Sequence, residues 1–191
     1  MNASPLFDAT LLARYDQPGP RYLSYPTGPH FNGSFGEEQL RHYIQHGNEH
    51  IFPPPISLYV HIPYCASDCF YCNCTRVITR DTSLGDLYLE NLAREIMLMG
   101  PLFAREREVV QLHLGGGTPN FLRPARIAAL VTLLRGQFNL STSAARDFSI
   151  ELDPRYVEPG DIECLAETGF NRMSLGVQDF APEVQQAINR A

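Results

Sequence analysis

The sequence predicts an α/β fold in which parallel strands alternate with helices. Three observations predict it: four short apolar runs, helical spacing of apolar residues between them, and turn residues at the junctions. The apolar runs are Ser57–Ile62, Val109–Leu114, Phe148–Leu152 and Met173–Val177. Successive strand and helix units form a parallel sheet with right-handed crossovers, which is either an open doubly wound sheet or part of a barrel.

The chain before the sheet predicts an irregular N-terminal extension, which we assign to residues 1–55. Proline and glycine recur in Gln17–Arg21 and Tyr25–Pro29, and these residues favour turns and extended backbone. One short helix is expected near Glu37–His46. Pro53–Pro55 forms a stiff spacer, and a second domain, residues 56–191, begins after it.

Three helices are expected between the strands, and a fourth after the last strand. From Leu84 to Met99, apolar residues recur every three or four positions, which is typical of a helix with one buried face. The second helix is expected at Pro124–Gly136, and the third at Pro159–Thr168 with Gly169 as its C-cap. The fourth begins near Pro182 and is expected to continue to the end of the chain.

The composition argues against several classes of function. A formal net charge of -6 without a basic cluster argues against nucleic acid as a partner. All 15 basic residues are arginine, so a Walker-type phosphate loop and a lysine Schiff base are excluded. No apolar run approaches the roughly 20 residues that span a bilayer. We therefore expect a cytoplasmic protein that does not bind membranes, and we expect it to be a monomer.

Four cysteines lie close together, directly after the first predicted strand. They are Cys65, Cys69, Cys72 and Cys74. In a reducing cytosol this spacing indicates metal or cluster binding rather than disulfides. Zinc is the alternative, but zinc sites usually have a second ligand pair about 12–20 residues away, and none follows Cys74. Three thiolates at C-x-x-x-C-x-x-C can instead bind three irons of a cubane. Cys164 is remote, and we expect a buried, unreactive thiol.

This cysteine pattern resembles the signature of the radical S-adenosylmethionine (SAM) superfamily, in which an aromatic residue, here Tyr71, precedes the last cysteine. The resemblance implies a 4Fe-4S cluster held by Cys65, Cys69 and Cys72, and a partial (β/α) barrel of the radical SAM type with parallel strands. In that superfamily the open iron chelates the amino and carboxylate groups of SAM. An electron from the cluster then cleaves SAM to methionine and a 5′-deoxyadenosyl radical, so the cofactor supplies the difficult chemistry.

Further candidates lie where the predicted strands end. Gly115–Pro119 follows the second strand, and its three glycines let a ligand approach bare backbone. Glu151 and Gln178 are polar residues at the ends of the third and fourth strands, where either a functional group or a strand-end cap is expected. Tyr59 and His61 share one face of the first strand, and His61 is expected to be a hydrogen-bonded core residue rather than a catalytic one.

A closer resemblance is to the oxygen-independent coproporphyrinogen III oxidases (dehydrogenases) of haem biosynthesis. It rests on Gly19–Thr27, Leu58–Pro63, Cys74, Gly169–Arg172 and Gly176–Phe180. In that family two SAM molecules are bound beside one cluster. Hydrogen is removed from propionate side chains of coproporphyrinogen III, carbon dioxide leaves, and vinyl groups remain, which gives protoporphyrinogen IX. An electron donor and an electron acceptor are also required, and the sequence identifies neither.

The same resemblance implies roles for individual residues. Contacts to the SAM that ligates iron are implied for Tyr59, Gly116 and Glu151. Contacts to the second SAM are implied for Tyr71, Gly117, Thr118, Gln178 and Arg190. The guanidinium fork of Arg190 suits a carboxylate, and Arg21 is a candidate for a substrate propionate because of its charge.

The chain differs from that family in its length. The family's chains continue with further strand and helix units and a C-terminal domain, so we expect a truncated chain whose own activity is doubtful and whose open sheet edge favours aggregation. One alternative is a related haem chaperone, which typically lacks the fourth cysteine and the Pro20–Thr27 segment. Another is an inactive fragment that binds only a metal or an iron-sulfur cluster. The role of Cys74 stays open.

Overall fold

The computed structural model describes residues 8–16 and 27–190. Arg21 and most of the Gly19–Thr27 segment lie outside the described residues, as does Ala191. Internal contacts divide the chain into two compact units, Met1–Leu40 and Arg41–Ala191. The domain boundary expected after residue 55 stays a prediction.

The described part of the first unit consists of short helical elements. Helix α1 (Ala9–Tyr15) is capped by Asp8, whose carboxylate accepts hydrogen bonds from two amides of the first turn. A single 3₁₀ turn is formed by Gly28–His30. Helix α2 (Glu37–Asn48) starts in this unit and confirms the helix predicted near Glu37–His46.

The second unit is built on a parallel sheet. In chain order its strands are β1 (Ile56–Ile62), β2 (Tyr64–Cys65), β3 (Val77–Ile78), β4 (Glu108–Gly116), β5 (Asn139–Leu140), β6 (Asp147–Leu152) and β7 (Arg172–Leu175). Strands β1, β4, β6 and β7 lie side by side in that order, and β5 pairs with the start of β4. All of these pairings are parallel. Strands β2 and β3 form a separate short ladder.

A helix connects each main strand to the next. These helices are α3 (Ser83–Met99), α4 (Pro124–Gln137) and α5 (Asp161–Thr168), and α6 (Pro182–Ala187) follows β7. Pro124 at the start of α4 has no backbone N–H, so this first position of the helix needs no hydrogen-bond partner. Gly169 ends α5 with a φ of 119°, which confirms the predicted C-cap. Among the described helices, none is long and apolar enough to cross a membrane.

The crossover helices pack against one face of the sheet. The shared core contains Ile62, Leu114 and Ile150 from the strands and Ile96, Ile127 and Leu165 from α3, α4 and α5. Sequential strand order with helices on one face is the winding of a partial (β/α) barrel. A doubly wound sheet reverses its strand order and carries helices on both faces, so the described strands favour the barrel alternative.

Two predicted elements were wrong at one end. Strand β7 ends at Leu175 rather than at Val177, because the amide of Val177 bonds the carbonyl of Leu175 at 3.0 Å and this tight turn takes the chain out of the sheet. Helix α5 begins two residues after Pro159, because Gly160 adopts a left-handed φ of 88°. A tight turn sets the first boundary, and a left-handed residue, which a helix cannot contain, sets the second.

The end of the last helix and the burial of one cysteine also differ from the prediction. Helix α6 stops at Ala187, because Asn189 is left-handed with a φ of 57° and the amide of Arg190 bonds the carbonyl of Gln185 at 2.7 Å. Cys164 is half-buried rather than buried, because the next residue on α5, Leu165, is the one that faces the core.

Candidate active site

The cysteine loop, residues 65–76, lies at the carboxyl end of β1 and joins β2 to β3. Two backbone hydrogen bonds close its base, from Val77 N to Pro63 O at 2.7 Å and from Thr79 N to Cys65 O at 2.9 Å. Carboxyl ends of parallel strands are where ligands bind in such folds. The loop therefore begins at the functional edge of the sheet.

Arg76 holds the two halves of the cysteine loop together. Its Nη1 donates to the carbonyls of Cys72 at 2.9 Å and Cys74 at 3.1 Å. Its Nε donates to the carboxylate of Asp68 at 2.9 Å, and its Nη2 makes a further short contact with the same oxygen. One side chain thus fixes the backbone around three of the four clustered cysteines.

The segment after α6 binds the other side of the cysteine loop. The amide of Phe70 donates to the carbonyl of Ile188 at 3.2 Å, and the Asn189 side chain donates to the carbonyl of Asp68 at 2.6 Å. Asparagine tolerates the left-handed conformation that Asn189 adopts here better than most residues do. The early end of α6 is therefore what turns this segment back toward the cysteines.

Arg190 reaches a cysteine sulfur from that segment. Its Nη1 lies 3.2 Å from the Sγ of Cys69, and its Nε and Nη2 both donate to the carbonyl of Gly176 at 3.0 and 2.7 Å. The same Nη1 is 3.4 Å from the carboxylate of Asp153. A side chain on Gly176 would meet the guanidinium at 2.8 Å. Arg190 is therefore held in place, with part of its fork directed at the cysteines.

Asp153 and Asn120 are site residues to which sequence reasoning gave no role. Asp153 is only 4% exposed and binds the guanidinium of Arg155 through both carboxylate oxygens. The Asn120 side chain pairs with the backbone of Asp153 in both directions, at 2.9 and 3.0 Å. These bonds tie the turn after β4 to the end of β6. Asp153 directly follows a predicted strand, and that position was the signal that could have found it, whereas Asn120 lies six residues after its predicted strand and carried no such signal.

The glycine turn after β4 packs against the cysteine loop. A Cβ on Gly117 would lie 2.8 Å from the carbonyl oxygen of Pro63 and 2.9 Å from the Sγ of Cys65. Gly116 has a φ of 117°, and a Cβ there would meet the carbonyl of Ile62 at 2.8 Å. Only glycine fits this conformation and this close approach without strain. The turn is thus shaped to hold the first cysteine against bare backbone.

One cavity of about 230 Å³ brings most of the predicted site residues together. It is lined by Cys65, Cys69, Tyr71 and Cys72 of the loop, by Gly116, Gly117 and Thr118 of the glycine turn, and by Glu151, Gln178 and Arg190. The exposed Cys74 lies at its edge. Tyr59 is not part of the lining and is 59% exposed. Its hydroxyl lies 3.0 Å from the Nδ1 of His61, whose Nε2 lies 2.9 Å from the carbonyl of Thr75.

Burial favours the protonated thiol at two of the clustered cysteines, Cys65 and Cys74, whose pKa values are raised. Burial raises the pKa of the Cys65 thiol, whereas a 3.3 Å hydrogen bond with the Thr118 hydroxyl lowers it. Burial also raises the pKa of Cys74, and its hydrogen bond with Cys72 adds to the rise. Metals bind thiolates, so loading the site must release protons.

The four clustered cysteines all line the same cavity. Within residues 8–16 and 27–190, no three His, Cys, Asp or Glu side chains are placed to hold a metal ion together. A mononuclear zinc site needs such convergence, with Zn–S distances of about 2.3 Å. A cubane binds each thiolate to a different iron, so its ligands need not converge on one metal position.

The chain belongs to the radical SAM superfamily, whose family model matches residues 59–191. Its relatives include the oxygen-independent coproporphyrinogen III oxidases of Pseudomonas aeruginosa, 46% identical over 96% of this chain and 40% of the relative, and of Escherichia coli, 45% identical over 96% and 39%. The solved structure of E. coli coproporphyrinogen III oxidase (HemN), described as a radical SAM enzyme, superposes with a TM-score of 0.81 at 43% identity, covering 95% of this chain and 39% of that one. The chain spans about two fifths of the length of these relatives.

Superfamily membership implies a 4Fe-4S cluster and SAM as cofactors. The donor set of this site suits both. Three thiols face a cavity whose wall at Gly117 has no room for a side chain, and the cavity also presents backbone, a carboxylate and a guanidinium that complement a zwitterionic amino acid. The residues present therefore fit the cofactors.

Proposed function

We propose that this chain forms the cofactor-binding part of an oxygen-independent coproporphyrinogen III oxidase, and that Cys65, Cys69 and Cys72 hold its 4Fe-4S cluster. The convergence of three thiols, the glycine turn and the polar strand ends on one cavity carries the proposal. The names of relatives at 45–46% identity support the substrate. The bound cluster supplies the electron that cleaves SAM reductively.

The chain's own residues provide three contacts for the SAM that ligates iron. Glu151 presents a carboxylate to the amino group, and the left-handed Gly116 exposes backbone to the methionyl part. Tyr59 stands on β1, which β4 separates from the strand of Glu151, and it lies on the same face of the sheet as Glu151. Opposite charges within hydrogen-bond reach in a partly closed cavity make such contacts stronger than in water.

A second SAM molecule is assigned to the side of the cavity that faces the end of the chain. The residues assigned to it, Tyr71, Gly117, Thr118 and Gln178, all line the cavity. Arg190 directs its fork to Gly176, Cys69 and Asp153, and of the five donors of a guanidinium one N–H on Nη2 is left for a carboxylate. Gln178 adopts a left-handed backbone at this position.

The substrate is a tetrapyrrole with propionate side chains. Loss of one hydrogen atom from the propionate carbon next to the ring, followed by loss of carbon dioxide and one electron, leaves a vinyl group. SAM bound in the cavity would supply the group that accepts the hydrogen atom, and an external acceptor would take the electron. Residues at this edge of the sheet need only hold the two reactants close and exclude water, because proximity supplies much of the rate.

Anaerobic reconstitution with iron and sulfide tests the proposal. The reconstituted protein is expected to give a 4Fe-4S Mössbauer spectrum, an electron paramagnetic resonance (EPR) signal that SAM alters, and conversion of coproporphyrinogen III with consumption of SAM. Serine at Cys65, Cys69 or Cys72 should abolish the cluster, because each thiolate holds its own iron. Serine at Cys164 is the matched control and should leave iron content unchanged.

Two results would remove the proposal. An intact cluster in all three serine variants would show that these thiols are not its ligands. If the cluster-loaded protein cleaves SAM but leaves coproporphyrinogen III unchanged, its membership of the radical SAM superfamily stands. Coproporphyrinogen III is then excluded as its substrate.

A further inference from the structure

His113 lies at the centre of a row of polar side chains on the face of the sheet opposite the helices. On one side its ring stacks on Tyr59 of β1, with ring centroids 5.7 Å apart and planes 18° from parallel. On the other side its Nδ1 lies 2.7 Å from the hydroxyl of Ser149, and its Nε2 lies 3.3 Å from the carboxylate of Glu151. One imidazole on β4 thus contacts both strand neighbours, β1 and β6.

The partners determine which nitrogen of His113 carries the proton. A carboxylate can only accept a hydrogen bond, so the Nε2 must donate to Glu151. In the neutral ring the Nδ1 is then an acceptor, and Ser149 donates its hydroxyl proton to it. The three polar groups therefore form a directed chain in which Ser149 orients His113 and His113 orients Glu151.

The first glycine of the glycine turn is explained by the same row. Gly115 has no left-handed φ, but a Cβ there would lie 2.9 Å from the Nε2 of His113 and 3.2 Å from the ring of Tyr59. Neither ring could stay in place if this position carried a side chain. The three glycines are thus required for different reasons. Gly115 leaves room for the two rings, Gly116 adopts a left-handed turn, and Gly117 leaves room for the first cysteine.

We propose that His113 is a positioning residue that holds the Glu151 carboxylate and the Tyr59 ring in register for the amino acid end of SAM. The inference rests on the proposed function, because it assumes that Glu151 binds SAM. Glu151 is an exposed strand-end side chain, and an unanchored glutamate would lose rotamer freedom on binding. An imidazole that already fixes the carboxylate lowers that cost before SAM arrives.

Three substitutions at His113 separate its contacts. Phenylalanine keeps the ring stack and loses both hydrogen bonds, asparagine keeps a partner for Ser149 but cannot reach Glu151, and glutamine keeps a donor toward Glu151. We expect SAM affinity, followed through the SAM-dependent change of the cluster EPR signal, to fall about tenfold or more for His113→Phe and His113→Asn. His113→Gln should stay within about threefold of the wild type.

Gln111→Ala is the matched control on the same face of the same strand. It removes the 2.6 Å bond between Gln111 and the hydroxyl of Ser57, one row from His113 and two rows from Glu151, and should leave SAM affinity unchanged. Equal loss of affinity in this control and in His113→Phe would overturn the inference, as would glutamine behaving like phenylalanine. Loss of iron or of folded structure in the His113 variants would assign the residue to the architecture of the sheet and would also overturn it.

A measurement without SAM distinguishes failure of this inference from failure of the proposed function. Nitrogen-15 NMR of the wild-type protein should show His113 with its proton on Nε2 and a bare Nδ1. The opposite tautomer would refute the role of His113 even if the protein binds SAM. Absence of any SAM effect on the wild-type cluster, with the expected tautomer present, would refute the proposed function instead.

Discussion

The sheet and the cysteine loop are held together by different forces. In the sheet, Leu114 and Ile150 are completely buried, and parallel backbone ladders join neighbouring strands. The cysteine loop has a ladder of only two residue pairs. Its shape depends on side chains that bond its backbone, above all Arg76 and Asn189.

This difference shows how the site is assembled. In the sheet, apolar residues are buried wherever they alternate with polar ones along a strand. Apolar residues of similar size can replace one another at these buried positions. The loop needs particular donors at particular carbonyls, and one of them, Asn189, is 121 residues away from its partner in the chain. The loop can therefore take its final shape only after α6 has docked. Damage to the sheet should reduce stability, whereas damage to the loop should reduce cluster binding.

The largest effect is expected for a core substitution in the sheet. Ile150→Ala removes a completely buried side chain from β6 and should lower the free energy of unfolding by about 2–5 kcal/mol. Urea denaturation of the cluster-free protein, followed by circular dichroism, measures this change. Ile51→Ala, at a side chain that is 87% exposed, should change the value by less than about 0.5 kcal/mol. Equal losses in the two variants would contradict the proposed importance of the sheet core.

A medium effect is expected where the sheet meets the loop. Gly117→Ala places a methyl group 2.8 Å from the Pro63 carbonyl and 2.9 Å from the Cys65 sulfur, so it should cost about 1–3 kcal/mol and displace that sulfur. Iron bound per chain after reconstitution should fall well below the wild-type value, even under conditions in which the variant is still folded.

The control for this substitution is Gly136→Ala on helix α4. A Cβ there meets nothing within 4 Å, so the variant should be about 0.4–1 kcal/mol more stable and should keep its iron. If Gly117→Ala loaded iron as well as Gly136→Ala did, the close approach of the glycine turn to the cysteine would not matter for the cluster.

The smallest change in stability is expected within the loop itself. Arg76→Gln loses the bonds to Cys72, Cys74 and Asp68. The side chains of Arg76 and Asp68 are 21% and 49% exposed, so solvent screening keeps the cost near or below about 1 kcal/mol. Cluster loss to a chelator should nevertheless be several times faster than in the wild type. Arg80→Gln, at an exposed position four residues further on, should lose its cluster at the wild-type rate. Equal rates of cluster loss in both variants would argue against a role for Arg76 in holding the cysteine loop around the cluster.

Sequence reasoning succeeded where structure depends on local pattern. The four main strands, three crossover helices and the C-cap at Gly169 were all predicted close to their observed positions. It was wrong at the end of β7, where a tight turn at Gly176 leaves the sheet, and at the end of α6, where Asn189 adopts a left-handed backbone. No periodicity reports a single residue of this kind, because most residue types make the conformation unfavourable and only the surrounding contacts stabilise it.

The sequence by itself determined the kind of fold and the chemistry of the loop. Alternating periods of apolar residues require a parallel α/β sheet, and three closely spaced cysteines define a set of sulfur donors whatever surrounds them. Only the tertiary structure decided that the strands follow one another in barrel order. It alone brought Arg190 to Cys69 and placed His113 between Tyr59 and Glu151. These contacts join residues that are far apart in the chain, so they exist only when the packed core has fixed the strands and helices that carry them.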